Sequence, residues 1–231
     1  MRINKYISNR GFCSRREAAR VIEANRVTIN GIPAKHTDQV NEGDLVLIDG
    51  ESIKDKADLV YIAMNKPVGI TCTAAKHVEN NIMEFINYPE HIFPIGRLDK
   101  DSQGLILLTN DGDIVNKILR SEHNHEKEYI VTVDKQITDL FIRGMSDGVE
   151  ILNTITKPCK VERISDCVFR IVLSQGLNRQ IRRMSKAHGY YVEQLVRIRI
   201  MNIELNDLPI GEWRELTEHE RVELFKKLEE E

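Results

Sequence analysis

Phe93-Pro94-Ile95-Gly96-Arg97-Leu98-Asp99-Lys100-Asp101-Ser102-Gln103-Gly104-Leu105-Ile106-Leu107-Leu108-Thr109-Asn110-Asp111-Gly112 is the stretch around which the rest of the chain organises itself. A polar loop, Gly96 to Ser102, runs directly into an apolar strand. An Asn-Asp-Gly turn ends that strand. Loops held by rigid strands are where reactive side chains concentrate. Gly96 and Gly104 free the backbone to bend sharply or to approach a ligand. From residue types alone, the loop is either a catalytic loop built on Asp99 or a charged surface loop in which Asp99 pairs with Arg97 or Lys100.

Strand-like stretches on either side of this segment and within it are Leu59–Met64, Leu105–Thr109, Tyr129–Val133 and the alternating Val168–Leu173. Ile137–Gly144, Gln180–His188 and Glu218–Leu228 read as helices. Strands and helices mix irregularly, which predicts an α+β fold with a mainly antiparallel sheet. The first 49 residues read as a separate unit. Ile3, Tyr6 and Ile7 form a short helical stripe, and Gly11 breaks it. Ser14-Arg15-Arg16-Glu17 then has the spacing of a capping box. Val27-Thr28-Ile29-Asn30-Gly31 is a strand entering an Asn-Gly hairpin turn. A second turn at Val40–Asp44 precedes a strand at Leu45–Ile48. Residues 50–58 are polar and aperiodic and are expected to link this unit to a second domain over 59–231.

The 231 residues are 41% hydrophobic and 30% charged, which suits a folded protein rather than a disordered one. No apolar run reaches the length of a membrane span, and the charged N-terminus lacks the apolar centre of a signal peptide. The expected location is the cytoplasm, with no membrane partner. Cys13, Cys72, Cys159 and Cys167 form neither a C-x-x-C pair nor a zinc spacing and read as buried free thiols. The formal net charge of -3 hides its distribution. Residues 1–35 carry eight basic side chains against Glu17 and Glu23. Between Asn178 and Ile200, Arg179, Arg182, Arg183, Lys186, Arg197 and Arg199 stand against Glu193. Charge segregated in this way can build a basic surface for nucleic acid.

The order of the first 49 residues, and Cys13–Ala18 followed by Val27–Gly31 in particular, resembles the small S4-type RNA-binding domain. The resemblance implies RNA contacts from Arg2, Lys5, Arg15 and Arg16, and a capped helix N-terminus suits a phosphate backbone. Gly96-Arg97-Leu98-Asp99, Ser102, Gly104 and Leu105–Gly112 resemble the active-site motif of the RsuA-type pseudouridine synthase family. Four further segments resemble its other motifs in the right order: Asn65–Gly69, Glu126–Val131, Gln175–Met184 and Gly211–Leu216. Ser102 stands where the family usually has Thr, and Ile106 where it has Leu. Both changes keep the side-chain type.

Pseudouridine formation opens the N-glycosidic bond of uridine, turns the uracil and rejoins it through C5. The resemblance makes Asp99 the catalytic carboxylate, acting either as nucleophile or as the base that removes a sugar proton. It implies that Arg182 pairs with Asp99, since burial alone would favour the neutral carboxyl. Tyr129 would stack on the target base, as aromatic faces do on flipped-out bases. Ile181 would pack beneath the site, and Lys66, Arg97, Arg179 and Arg183 would contact phosphate or support the site. The reaction is an isomerisation, so no cofactor and no metal are expected. Within the family, residues 97–104, 125–129 and 199–202 are most similar to the branch that acts on 23S ribosomal RNA. That branch implies 23S RNA as substrate and allows tRNA as a second one. A monomer is the default expectation. The rival reading is a non-catalytic RNA-binding ribosome-assembly factor that keeps the fold.

Overall fold

In the computed structural model, residues 1–53, 58–75, 77–119 and 124–229 are described. Their contacts divide the chain into two compact units. The first contains residues 1–60 with the short segments 88–93 and 109–112. The second contains 61–87, 94–108 and 113–231.

The first unit begins with α1 (Ile3–Asn9) and α2 (Arg15–Glu23). The Ser14 hydroxyl accepts from the Glu17 amide at 3.2 Å and caps α2, while the Glu17 carboxylate is engaged by Arg20 at 3.0 Å. β1 (Val27–Ile29) and β2 (Ile32–Pro33) form the expected hairpin. Asn30 and Gly31 both have positive φ, 52° and 80°, which is the backbone of the turn that matches strand twist. β3 (Val46–Ile48) pairs with β1, and β4 (Glu51–Ser52) pairs with β3, giving a four-stranded sheet in the order β2-β1-β3-β4. Ile3, Ile7, Ala18, Val21, Ile22, Val27, Val46 and Ile48 meet in one core. Part of the stretch expected to be a linker is therefore structured, since Glu51 and Ser52 are a strand. Residues 54–57 of that stretch lie outside the described residues.

The second unit runs β5 (Tyr61–Lys66), α3 (Ile82–Ile86), β6 (Phe93–Ile95), β7 (Gln103–Thr109), α4 (Gly112–Leu119), β8 (Lys127–Val133), α5 (Asp139–Asp147), β9 (Glu150–Ile151), β10 (Thr154–Ile155), β11 (Lys160–Arg163), β12 (Val168–Leu173), α6 (Gln180–Ala187), β13 (Val192–Ile200), β14 (Ile203–Glu204), β15 (Trp213–Glu215) and α7 (Glu218–Glu229). The main sheet has the order β11-β12-β8-β13-β7-β5-β15, with β14 on β13 and β6 on β7. β11/β12, β12/β8, β8/β13, β13/β14 and β5/β15 are antiparallel, and β13/β7 is parallel. The expected α+β fold with a mainly antiparallel sheet is the one found. Tyr61, Ala63, Leu105, Leu107, Ile114, Ile118, Ile200, Ile203 and Leu224 share a core that packs α4 and α7 on the sheet.

Element bounds shift where burial or a cap overrides local pattern. β5 runs two residues past Met64, because Asn65 and Lys66 are buried in the sheet despite being polar. α5 starts at Asp139 because the Thr138 hydroxyl accepts from the Phe141 amide at 3.1 Å. The four cysteines are free; only Cys72 is fully buried and the others are half-buried. Burial pushes the Cys13 and Cys159 thiols up to about 11, with Glu17 adding to the shift at Cys13.

Candidate active site

The loop from Gly96 to Ser102 connects β6 to β7 and is fixed from several sides. The Gly69 amide donates to the Lys100 carbonyl at 2.8 Å. The Ser102 amide closes a turn on the Asp99 carbonyl at 3.0 Å. The Leu98 amide donates to the buried Cys72 sulfur at 3.4 Å. Gly104 has a φ of +111° and is paired across the parallel ladder with Arg197. A Cβ at Gly104 would overlap the Arg197 backbone, so glycine is required for β7 and β13 to lie this close.

Asp99 opens onto a cavity of about 560 Å³. Tyr129, Arg97, Arg179, Ile181 and Arg182 also line it, together with Lys127 and Arg197. The volume falls in the range of small-ligand pockets. Asp99 is half-buried, with 35% of its side chain exposed. Tyr129 and Ile181 are buried, at 9% and 4%. The structure thus gathers six of the residues singled out in the sequence around one space.

The charges are wired differently from the expectation. Arg182 does not reach Asp99. Its Nη1 donates to the Val192 carbonyl and its Nη2 to the Asp101 carbonyl, both at 2.9 Å. Nη2 also lies 3.4 Å from the Ser102 hydroxyl, and Nε lies 3.5 Å from Asp101 Oδ2. Among the described residues, Arg179 is the cation within ion-pair range of Asp99, at 3.9 Å. Arg179 spends its fork on Asp101, with two bonds of 2.9 and 2.8 Å. Those bonds hold the Asp101 carboxyl below the usual carboxylate range. Burial draws the Arg182 guanidinium below its ordinary value. The expected Arg182–Asp99 pair gives way because a half-buried Asp99 remains solvated, whereas the Asp101 segment supplies acceptors at the tip of the Arg182 side chain.

Of the two expectations for Lys66, phosphate contact or site support, its position fits the second. It is fully buried, and its ammonium donates to the Pro67 and Ile70 carbonyls at 2.8 and 2.9 Å. These bonds tie it to the segment whose Gly69 amide holds the Lys100 carbonyl. Burial pulls its pKa down, and Arg197 adds to this, while Cys72, Asp101 and Asp99 push it back up. Arg183 is exposed, folds back onto Asn178, and does not line the cavity. In the first unit Arg2, Arg15 and Arg16 are exposed and Lys5 is half-buried.

Two charged lining residues, Lys127 and Arg197, lie in segments the sequence singled out but were not expected at the site. Lys127 stands two residues before Tyr129 on β8, and that spacing puts both on one face of the strand. Its ammonium donates to the His125 carbonyl at 3.2 Å. Burial, with Arg197 adding, pushes Lys127 down to about 8. Arg197 is directly opposite Tyr129 in the β8–β13 ladder and is 3% exposed. The spacing of Lys127 and Tyr129 was readable in the sequence. The position of Arg197 was not, since it follows from strand register.

A family model described as RNA pseudouridylate synthase matches residues 60–187, and an S4 domain model matches residues 1–46. The chain is 58% identical over 231 residues to the Escherichia coli (strain K12) protein named dual-specificity RNA pseudouridine synthase RluF, covering 99% of this chain and 80% of that one. It is 32% identical over 228 residues to the Bacillus subtilis ribosomal large subunit pseudouridine synthase B, covering 95% and 93%. A solved structure titled crystal structure of pseudouridylate synthase superposes with a TM-score of 0.71 at 30% identity, covering 99% of both chains. With a carboxylate, a buried tyrosine and several arginines around one cavity, the chain belongs to the RNA pseudouridylate synthase family, with an S4 domain at its front.

Proposed function

We propose that the protein isomerises a uridine of 23S ribosomal RNA to pseudouridine, with Asp99 as the reacting carboxylate. The observation that carries this reading is Asp99 half-exposed at a cavity whose wall includes the buried Tyr129. A base extruded from the RNA can stack on the tyrosine while its sugar meets the carboxylate, and such stacking contributes about 1–3 kcal/mol per base. In the nucleophilic route, an Asp99 oxygen forms a bond to C1′ as the N1–C1′ pair leaves with the uracil. C5 then displaces the carboxylate. In the elimination route, Asp99 takes the C2′ proton and returns it when C5 rejoins C1′. In both, C5 finally loses its proton and N1 gains one, so nothing is consumed.

Residues 1–49 serve as the RNA-docking module, through Arg2, Lys5, Arg15 and Arg16, and 59–231 as the catalytic module. Arg97 and Arg179 flank the cavity mouth and suit the phosphates next to the target nucleotide. The name of the Bacillus subtilis relative favours ribosomal RNA of the large subunit, and the dual specificity in the name of the Escherichia coli one fits tRNA as a second substrate. No helix among the described residues is long and apolar enough to cross a membrane. A cytoplasmic monomer fits an enzyme that must admit a folded RNA.

Pseudouridine mapping tests the proposal. Unmodified 23S, 16S and transfer RNA are incubated with the protein, treated with carbodiimide and read by primer extension. A new stop on 23S RNA that disappears with Asp99→Asn is the expected result. A stop that persists with Asp99→Asn removes Asp99 from its role. Binding without any stop removes the activity.

A further inference from the structure

The cavity holds a buried cation that the proposed mechanism has not used. Arg197 is 3% exposed on the central strand β13, between Gly104 of β7 and Tyr129 of β8. Its Nε donates to the Leu105 carbonyl at 2.6 Å, and its Nη1 reaches the Arg97 carbonyl at 3.4 Å. Its Nη2 is buried and has no hydrogen-bond partner among the described residues. No carboxylate among them lies within ion-pair range of the guanidinium. A buried guanidinium with an unpaired donor is costly unless something meets it. The neighbouring side chain Lys127 is also cationic, so the floor of the cavity is positive where Tyr129 places the base.

The chemistry supplies the missing acceptor. When the N1–C1′ bond opens, its electron pair leaves with the uracil, and the ring spreads the negative charge over N1, O2 and O4. A fixed cation at one of those oxygens stabilises this charge without reorganising at the moment of reaction. We propose that Arg197, whose guanidinium turns its unpartnered Nη2 to the cavity when the base enters, donates to a carbonyl oxygen of the extruded uracil and holds the charge that collects there as the glycosidic bond opens. Arg197 is then a substrate-contacting residue on the leaving-group side, complementary to Asp99 on the sugar side. Its Nη1 contact to the Arg97 carbonyl also ties this cation to the loop that carries Asp99.

This inference rests on the synthase reading above, and the experiment separates the two. Wild type, Arg197→Met and Arg197→Lys are assayed in single turnover on a stem-loop RNA. The RNA carries uridine, 2-thiouridine or 4-thiouridine at the mapped position. Sulfur is a weak acceptor, yet it makes the base a better leaving group, so a slower reaction isolates the lost hydrogen bond. Wild type should slow about ten- to a hundredfold at one of the two thio positions, as expected for a bond to a charged donor. Arg197→Met should be slow on uridine, bind the RNA normally, and show no further loss at that thio position. Arg197→Lys should recover part of the rate. Equal wild-type rates on all three RNAs overturn the inference without any variant. A thio penalty that persists in full in Arg197→Met overturns it as well, and leaves Arg197 as a brace for Leu105. Absence of product from wild type on plain uridine removes the synthase reading itself.

Discussion

On one side of the β8–β13 ribbon, Glu128 gathers Arg170 at 2.5 Å and Arg199 at 2.7 Å, and Arg199 also holds Glu126 at 2.8 Å. On the cavity side, Lys127 and Arg197 have no carboxylate in ion-pair range among the described residues. The two sides use the same residue types from the same two strands. Register separates them. Arg197 faces Tyr129 and Arg199 faces Glu128, with a bulge between the two arginines. Regular alternation would put Arg197 and Arg199 on one face. The bulge re-aims one of them, a recognised use of such irregularities near active sites. Charges that are paired within the chain hold the sheet together. Charges left unpaired cost stability, a cost that the proposed substrate contact of Arg197 would offset.

The largest expected effect breaks the paired side. Glu128→Ala leaves Arg170 and Arg199 without their shared partner, and Glu128 itself is only 3% exposed. It should cost about 2–3 kcal/mol of stability, the scale for hydrogen bonds to charged groups, since Arg170 is 43% exposed and Arg199 keeps Glu126. Urea titration measures it, and a loss below about 1 kcal/mol would put the two sides on the same footing.

Lys127→Met should have the opposite sign, stabilising the protein by on the order of 2 kcal/mol at neutral pH. The folded pKa of about 8 lies below the unfolded 10.5. Between those values the unfolded chain binds more protons, so wild-type stability rises with pH. The burial cost is fully present below about 8 and is relieved towards 10.5. The gap between wild type and Lys127→Met should therefore close across that window, and thermal melts at pH 7 and pH 10 read it directly. A constant gap would show that Lys127 is not strained by burial.

Arg179→Ala sharpens the comparison from the rim of the cavity. Its pair with Asp101 is 41% and 47% exposed, so the stability cost should stay below about 1 kcal/mol. Activity should fall by more than stability does, because the loop that carries Asp99 loses both its anchor at Asp101 and the cation nearest the Asp99 carboxylate. Comparing single-turnover rate with denaturation midpoint separates the two contributions.

Much of the fold was legible because its signals are local. The Ser14 cap, the Asn30-Gly31 turn and the alternation over Val168–Leu173 each depend on residues one to four positions apart, and each is found where the sequence put it. The Asp99 loop was legible for a similar reason, being a polar segment joined to an apolar strand. For Lys66 the sequence left phosphate contact and site support open, because a lysine is normally exposed and nothing local reveals that β5 is buried along its whole length. Arg182 was assigned to Asp99 by motif order. Its actual partners, Val192 and Asp101, come from two separate parts of the chain.

By itself, then, the sequence determined the element types, the order of the front domain and the synthase domain, and the family resemblance that makes Asp99 the proposed reacting carboxylate, since these reside in short-range pattern and motif. Tertiary structure alone decided that β7 runs parallel to β13, that Gly104 lies against the Arg197 backbone, and that a bulge turns Arg197 towards Tyr129. Those features arise from pairing between strands roughly 70 to 95 residues apart. Their register is set by which side chains the assembled sheet can bury, and no short window of sequence carries that information.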